Sequence, residues 1–249
     1  MVFAHRGCSS LAPENTFAAF RKARDLGIPG IELDIHVCAT GQLVVAHDHS
    51  FRRVAGDDRI IEELSLEEIR AIDAGSWFDP AFRGERPPLL EEVLEEFCPA
   101  MYVDIELKTR RTRGDPLPEA AARTLQALGP RVKDAVAVSS FNPLSLAAFK
   151  KHCPGIPTAI IWSADTSVPL PLRWGAGRFI APCDYLKPVY RQVNRLTLFG
   201  FTLEGYPVVP WTIDDPALAE RMLRIGCAGI ISNRPQDIAG REEDLARKQ

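Results

Sequence analysis

The stretch GIELDIHVCATGQLVVAH, residues 30–47, decides how the chain folds. It contains two apolar, strand-like segments, 30–37 and 43–47, with CATGQ between them. A crossover between parallel strands needs about a dozen residues or more, so this short link predicts an antiparallel hairpin. The hairpin brings His47 back towards the end of the strand that carries Glu32.

Strand and helix patterns alternate along the rest of the chain, which favours a parallel sheet. Besides the hairpin, strands are predicted at 2–5, 101–108, 135–141, 157–162, 179–183, 206–212 and 228–232. Nine candidates result, and the return leg of the hairpin is set apart, which leaves eight. The sequence therefore predicts the α/β class and a (β/α)₈ TIM barrel, formed by a single domain over residues 1–249.

Residues 48–88 interrupt the alternation. The segment is longer than a usual loop and predicts its own short helix, with Ser65 as N-cap and Glu68 completing a capping box. We expect a small insertion near the barrel mouth, because long ordered loops there usually shape a site. The charged end of the chain after Gly240, REEDLARKQ, predicts a solvated helix.

Composition excludes several classes of protein. The net charge is −3 and no basic stripe is present, so we expect no nucleic-acid partner. No apolar run approaches the ~20 residues of a membrane span, and no signal-peptide pattern precedes His5, so we expect a cytoplasmic protein without stable membrane association. The six cysteines are scattered without CxxC spacing, which favours reduced thiols over a zinc or disulfide framework.

Acidic side chains recur on alternate positions of two predicted strands. Glu32 and Asp34 share one face of their strand, as do Asp104 and Glu106, and barrel strands end around a common site. Such pairs often lie on a solvated face, but here the opposite face is apolar and should pack outward against helices. We expect Glu32, Asp34 and Glu106 to bind Mg²⁺ or Ca²⁺, hard ions that prefer oxygen ligands. Asp104 lies deeper and is expected to form hydrogen bonds in the core, and His36 is expected to be structural.

A series of short motifs points to a known family. They are HRG-x₅-PENT-x₂-AF (5–20), IELDIH (31–36), LVVAHD (43–48), DIELK (104–108), PWTIDD (210–215) and GIISNRP (229–235). In this order they resemble the glycerophosphodiester phosphodiesterase family over essentially the whole chain. The resemblance implies a TIM barrel that hydrolyses glycerophosphodiesters to sn-glycerol 3-phosphate and an alcohol with a divalent cation.

The resemblance also implies roles for individual residues. They are a catalytic pair (His5, His47), metal ligands (Glu32, Asp34, Glu106), phosphate contacts (Arg6, Lys108) and pocket aromatics (Phe141, Trp211), although the two aromatics could equally be core residues. The turn CATGQ and Asn233, where the family more often has Asp, depart from its pattern; neither is at a ligand position, so we expect activity to be retained.

The histidines near the acids favour general acid–base chemistry, because an imidazole can accept or donate a proton at neutral pH. A lone His5 would more often be a core residue; a second histidine on the hairpin reverses that expectation. Asp48 either orients His47 or caps a loop, and His49 and His152 have no partner that the sequence identifies. Which histidine is the acid, and whether water or the substrate's glycerol hydroxyl attacks, stay open.

Three functions compete. The first is hydrolysis of small-molecule glycerophosphodiesters by a monomer or homodimer. The second is a lysophospholipase D on the same barrel, which needs an apolar surface near the mouth; Trp77, Phe78 and Phe82 offer a modest one. The third is a non-catalytic phosphate- or lipid-binding barrel, which should lack a histidine or an acid, and none is missing.

Overall fold

Strands and helices alternate in the computed structural model, which describes residues 1–166 and 168–239. The strands are β1 (Val2–His5), β2 (Gly30–Val37), β3 (Leu43–Val45), β4 (Ser50–Phe51), β5 (Asp57–Ile60), β6 (Tyr102–Leu107), β7 (Val136–Ser140), β8 (Thr158–Trp162), β9 (Tyr185–Pro188) and β10 (Ile230–Ser232). The α-helices are α1 (Phe17–Asp25), α2 (Arg52–Ala55), α3 (Leu66–Arg70), α4 (Leu90–Phe97), α5 (Leu117–Leu128), α6 (Pro130–Lys133), α7 (Pro143–His152), α8 (Arg195–Leu203) and α9 (Pro216–Arg224).

The main sheet is parallel and runs in the order β10–β1–β2–β6–β7–β8–β9. The predicted strand at 206–212 is not regular, but it fills the place between β9 and β10. Leu186 N donates to Pro207 O on one side, and Ile231 N donates to Pro210 O on the other, at 2.9 and 3.0 Å. The sheet thus closes on itself, and the predicted (β/α)₈ barrel is confirmed.

The hairpin predicted from residues 30–47 is confirmed. Strand β3 pairs antiparallel with β2, with Val45 opposite Ile35. Ile31, Leu33 and Ile35 are buried in the main apolar core. The alternate positions Glu32 and Asp34 are also buried, 2% and 0% exposed, so the strand has no solvated face.

Residues 48–88 carry an antiparallel β4–β5 pair, α2 and α3. The capping box of α3 is confirmed, because Ser65 Oγ accepts from Glu68 N while the Glu68 carboxylate accepts from Ser65 N. Apolar residues of the segment form a second small core with the hairpin; they include Phe51, Ile61, Leu64, Ile69 and Ile72.

One predicted strand is wrong. Residues 179–183 do not form a strand; a 3₁₀ helix covers Ala176–Phe179 and the strand is β9, Tyr185–Pro188. Phe179 is 74% exposed, so its apolar character does not mark a buried segment. The true strand was hidden because its buried position 187 is a lysine, whose charge is paired inside the barrel with Asp104.

Two further features complete the fold. Within residues 1–166 and 168–239, no helix is long and apolar enough to cross a membrane. The six cysteines are free thiols, and all but Cys183 are buried. The helix predicted after Gly240 lies outside the described residues.

Candidate active site

Three carboxylates converge inside the barrel. Strand β2 presents Glu32 and Asp34, and β6 places Glu106 directly opposite Asp34. Each of the three offers an oxygen within 4.8 Å of the others, and all three are buried. The structure therefore brings together the three acids that the sequence predicted as metal ligands.

Neighbouring residues compensate the negative charge of the three carboxylates only in part. Burial, and then the neighbouring Asp34, raise the pKa of Glu32 well above its ordinary value. For Asp34 burial acts in the same direction, but Lys108 and Arg6 outweigh it and hold its pKa below the usual range. Asp34 Oδ1 is buried and accepts no hydrogen bond, although Lys108 Nζ lies 3.1 Å away. Buried oxygens that resist ionisation or lack a hydrogen bond fit a hard divalent cation.

Asp104 lies one step deeper and belongs to a separate polar group. Ser139 Oγ donates to Asp104 Oδ1 at 2.8 Å, and Lys187 Nζ lies 2.9 Å from Asp104 Oδ2. This is the buried hydrogen-bonding position that we expected. Sequence reasoning missed Lys187, because its strand was not predicted.

The two predicted phosphate contacts flank the acids. Arg6 Nε lies 3.2 Å from Asp34 Oδ2, and Lys108 Nζ donates to Glu106 Oε1 at 2.7 Å. Arg6 adopts a φ of +57°, and Gly7 follows it at +80°. A Cβ on Gly7 would lie 2.7 Å from Ala19, so the glycine is required by the close approach of helix α1 as well as by the turn.

His5 ends β1 beside the carboxylates, with Nε2 3.8 Å from Glu32 Oε2. Its Nδ1 lies 2.6 Å from Asn233 Oδ1. The Asn233 amide nitrogen donates to Asp214 and Ser9 donates to the amide oxygen, which fixes that oxygen towards the ring. Nδ1 therefore carries the proton and Nε2 is free to accept one. Asn233 thus contacts His5, a pairing that the sequence did not reveal.

His47 follows β3 and reaches the same group of acids. The N–H of the preceding residue donates to the Asp34 carbonyl at 3.0 Å. His47 Nδ1 donates to Asp48 Oδ1 at 2.7 Å, and Asp48 Oδ2 accepts from Arg53 Nε at 2.8 Å. Arg53 is held in turn by two bonds to Glu14. Of the two roles considered for Asp48, the structure shows the one that orients the histidine.

Both rings favour the neutral form. Burial, and then the neighbouring Arg6, lower the pKa of His5 to about 4. Burial also lowers the pKa of His47, against the opposing effect of Asp34. Since an unperturbed imidazole titrates near pH ~6.5, His5 is free to accept a proton at neutral pH. The hydrogen bond to Asp48 raises the pKa of His47 against the effect of burial, and it favours the protonated ring more than Asn233 does for His5.

An open pocket lies among the residues that follow β6, β7 and β8. It encloses about 560 Å³, and its lining includes Phe141, Trp211, Arg110, Val168 and Leu172. The rings of Phe141 and Trp211 meet edge to face, with centroids 5.6 Å apart. The two predicted aromatics therefore line one cavity.

Two other groups near the site were missed or underestimated. Asn15 has a φ of +55°. Its Nδ2 donates to Asp34 Oδ2 at 3.0 Å, and its side-chain oxygen Oδ1 is buried without a partner. Its place in the PENT motif was the available signal. His49 has a partner after all, since its Nδ1 lies 2.7 Å from Glu62 Oε1. No local pattern links those two residues.

Comparisons with known proteins decide the family. Residues 5–237 match the family model described as the Glycerophosphoryl diester phosphodiesterase family. The chain belongs to this family. The glycerophosphodiester phosphodiesterase of Caldanaerobacter subterraneus subsp. tengcongensis is 34% identical over 241 residues, 96% of each chain. The predicted class of enzyme, a phosphoric diester hydrolase, is confirmed.

Solved structures of the phosphodiesterase family share the fold. A phosphodiesterase of Oleispira antarctica, determined with the product sn-glycerol-3-phosphate, superposes with a TM-score of 0.86 at 27% identity, covering 98% of this chain and 96% of its own. A glycerophosphodiester phosphodiesterase of Agrobacterium tumefaciens gives 0.78 at 26% identity, covering 96% and 98%.

Proposed function

We propose that this protein hydrolyses glycerophosphodiesters to sn-glycerol 3-phosphate and an alcohol. The observation that carries the proposal is the convergence of three buried carboxylates and two oriented histidines around one point at the ends of β1, β2, β3 and β6. A product-bound relative with sn-glycerol-3-phosphate supports the substrate class.

Glu32, Asp34 and Glu106 would hold the divalent cation, Mg²⁺ or Ca²⁺. The all-oxygen donor set and the raised pKa of Glu32 support this assignment. When bound, the ion neutralises charge that builds on the non-bridging phosphate oxygens. Arg6 and Lys108 sit beside the same carboxylates and add positive charge for the phosphate.

The partners of the two rings suggest different tasks. His47 is backed by a carboxylate, which stabilises an imidazolium, so His47 would protonate the departing alcohol. His5 is backed by a neutral amide, which leaves it a base, so His5 would remove the proton of the nucleophile. Phe141 and Trp211 would contact the alcohol or glycerol carbon chain in the pocket.

The test is hydrolysis of glycerophosphocholine by the chain of residues 1–249, before and after EDTA and after Mg²⁺ or Ca²⁺ is restored. We expect activity to be lost on chelation and to return with the ion, and His5→Ala to be inactive in both states. Turnover that survives EDTA, or full activity of His5→Ala, would contradict the mechanism.

A second candidate, lysophospholipase D activity, is favoured by the pocket rim. The 3₁₀ helix Leu170–Trp174 places Leu172 in the pocket and exposes Leu170 and Trp174, each about two thirds exposed. An acyl chain leaving the pocket would meet these side chains. Trp77, Phe78 and Phe82 of the insertion instead pack edge to face against one another. Comparing lysophosphatidylcholine with glycerophosphocholine in wild type and Trp174→Ala tests this activity.

Three sequence expectations stay predictions. They are the cytoplasmic location, the monomeric or dimeric state, and the single domain with a mouth insertion at 48–88. The contacts of Asp48 and Arg53 with His47 and Glu14 support a role of that segment in the site.

A further inference from the structure

A second cluster of ligand-type side chains lies away from the carboxylates. It comprises His36 near the end of β2, His49 after the hairpin and Glu62 in the 3₁₀ helix Ile61–Glu63. Each offers one ligand atom, and these atoms lie within 4.8 Å of one another. Nothing in the proposed hydrolysis uses this cluster.

The polar atoms of this cluster include more hydrogen-bond acceptors than donors. His36 is fully buried, its Nε2 lies 3.3 Å from the His47 carbonyl oxygen, and its Nδ1 lies 3.0 Å from Glu62 Oε1. Both partners are pure acceptors, whereas a neutral imidazole has a single N–H. One N–H therefore cannot serve both acceptors, and a metal ion between Nδ1 and the Glu62 carboxylate would leave the N–H on Nε2 for the His47 carbonyl.

The Glu62 carboxylate also has a buried oxygen without a hydrogen-bond partner. Glu62 Oε1 faces two ring nitrogens, with His49 Nδ1 at 2.7 Å, while Glu62 Oε2 is buried and has no partner. Burial opposes ionisation, yet the contacts with His36 and His49 hold the pKa of Glu62 below its usual range. The group is thus an ionised carboxylate facing two imidazoles.

We propose that His36, His49 and Glu62 bind a transition-metal ion of the Zn²⁺ class at a site distinct from the all-oxygen cluster. Two imidazoles and a carboxylate are a typical ligand set for such an ion, which Mg²⁺ and Ca²⁺ do not favour. A metal-bound histidine usually donates its other N–H to a carbonyl or carboxylate, and His36 Nε2 has that partner in the His47 carbonyl.

The site is accessible and would have a mechanical role. A cavity of about 780 Å³ has Glu62 in its wall, and the His49 side chain is 41% exposed, so two of the three ligands are open to solvent. The three ligands come from β2 and from the 48–88 segment, and His36 also contacts the main chain of His47. An ion there ties the segment to the hairpin that positions this histidine. The inference does not depend on the proposed substrate.

The experiment uses the chain of residues 1–249, stripped of metal and titrated with ZnCl₂ by calorimetry, with X-ray absorption of the one-equivalent complex. We expect imidazole scattering in the wild type. His49→Ala should weaken zinc binding by more than the about 10–100-fold typical of outer-shell changes. The His49 side chain is 41% exposed, so its removal should leave the fold intact. Glu62→Gln should act in the same direction.

Two variants separate this site from the others. Glu106→Gln should keep the imidazole signal although it damages the oxygen cluster, and His152→Ala, a histidine on α7, should bind zinc as the wild type does. Equal zinc affinity in His49→Ala, purely oxygen scattering, or loss of all binding in Glu106→Gln would overturn the proposal. A loss of hydrolysis alone, with zinc binding intact, would instead concern the proposed function.

Discussion

The two catalytic histidines proposed here sit in matching geometry but in different surroundings. Each donates through Nδ1 to a side-chain oxygen. For His5 the acceptor is the neutral amide of Asn233, and for His47 it is the carboxylate of Asp48. The first pair spans the junction of β1 and the chain after β10, whereas the second pair consists of adjacent residues on the hairpin.

The charge of the side chain that accepts from Nδ1, and not only the position of the ring, can therefore determine which histidine is the acid and which is the base. A carboxylate stabilises an imidazolium, as in other His–Asp pairs, and a neutral amide does so less. Glu14 links the two sides, since it accepts from both Arg6 and Arg53. Both histidines are therefore oriented through Nδ1, but only His47 has a negatively charged partner.

Removing either ring should have the largest effect. His5→Ala and His47→Ala should each lower kcat for glycerophosphocholine by about 10²–10⁴-fold, since general acid–base assistance is worth about that much. A p-nitrophenyl glycerophosphodiester, whose leaving group needs no proton, should restore much of the rate in His47→Ala but not in His5→Ala. Equal restoration in both variants would remove the assigned difference in roles.

Neutralising the charged partner should have a smaller effect. Asp48→Asn keeps the shape but removes the charge behind His47, so we expect kcat to fall about 10-fold, less than for a fully buried partner, because Asp48 is 39% exposed. KM should change little. Arg53→Ala removes the bond to Asp48 and two bonds to Glu14 but keeps the charge behind His47, so it should cost less than Asp48→Asn.

Charging the neutral partner should shift the pH profile. In Asn233→Asp a carboxylate faces His5, which raises the pKa of the ring from about 4 towards its ordinary 6.5. A base must be unprotonated, so the acid limb of kcat/KM should move to higher pH by on the order of 1 pH unit. Asn233→Ser adds no charge and removes the Asn233 hydrogen bond that raises the pKa of the ring, so it should not move that limb to higher pH. An unmoved limb in the Asp variant would exclude His5 as the titrating base.

The smallest predicted effect is on the pH dependence of the free energy of unfolding, through Glu32 next to His5. The folded pKa of Glu32 is raised above its unfolded value, so its stabilising contribution is present at low pH and is lost as pH rises through the folded pKa. The lowered pKa values of His5 and His47 act below their ordinary pKa of 6.5, so measurements above pH 6.5 isolate the contribution of Glu32.

Above pH 6.5 the Tm of the metal-free protein should fall as pH rises, by about 2–4 °C for each kcal/mol of stability lost in a chain of this size. Glu32→Gln, or added Mg²⁺, should flatten the slope when Tm is followed by circular dichroism. An equal slope in metal-free wild type and Glu32→Gln would show that Glu32 does not carry the effect.

Local rules account for the correct predictions. The bounds of β2, the hairpin and the Ser65 cap follow from alternation and short-range hydrogen bonds. The errors arise where distant residues complete a local pattern. Strand β9 was missed because Lys187 is tolerated in the barrel only through Asp104 and Ser139, which lie on other strands.

By itself, the sequence determined which side chains share a strand face, because a period of two puts Glu32 and Asp34 on one side whatever surrounds them. Only the tertiary structure decided which side chains contact each residue of the candidate sites. Asn233 reaches His5 across 228 positions, and Glu62 comes between two histidines from separate elements. Such pairings depend on how strands and loops meet in space, and no short-range preference of the chain encodes them.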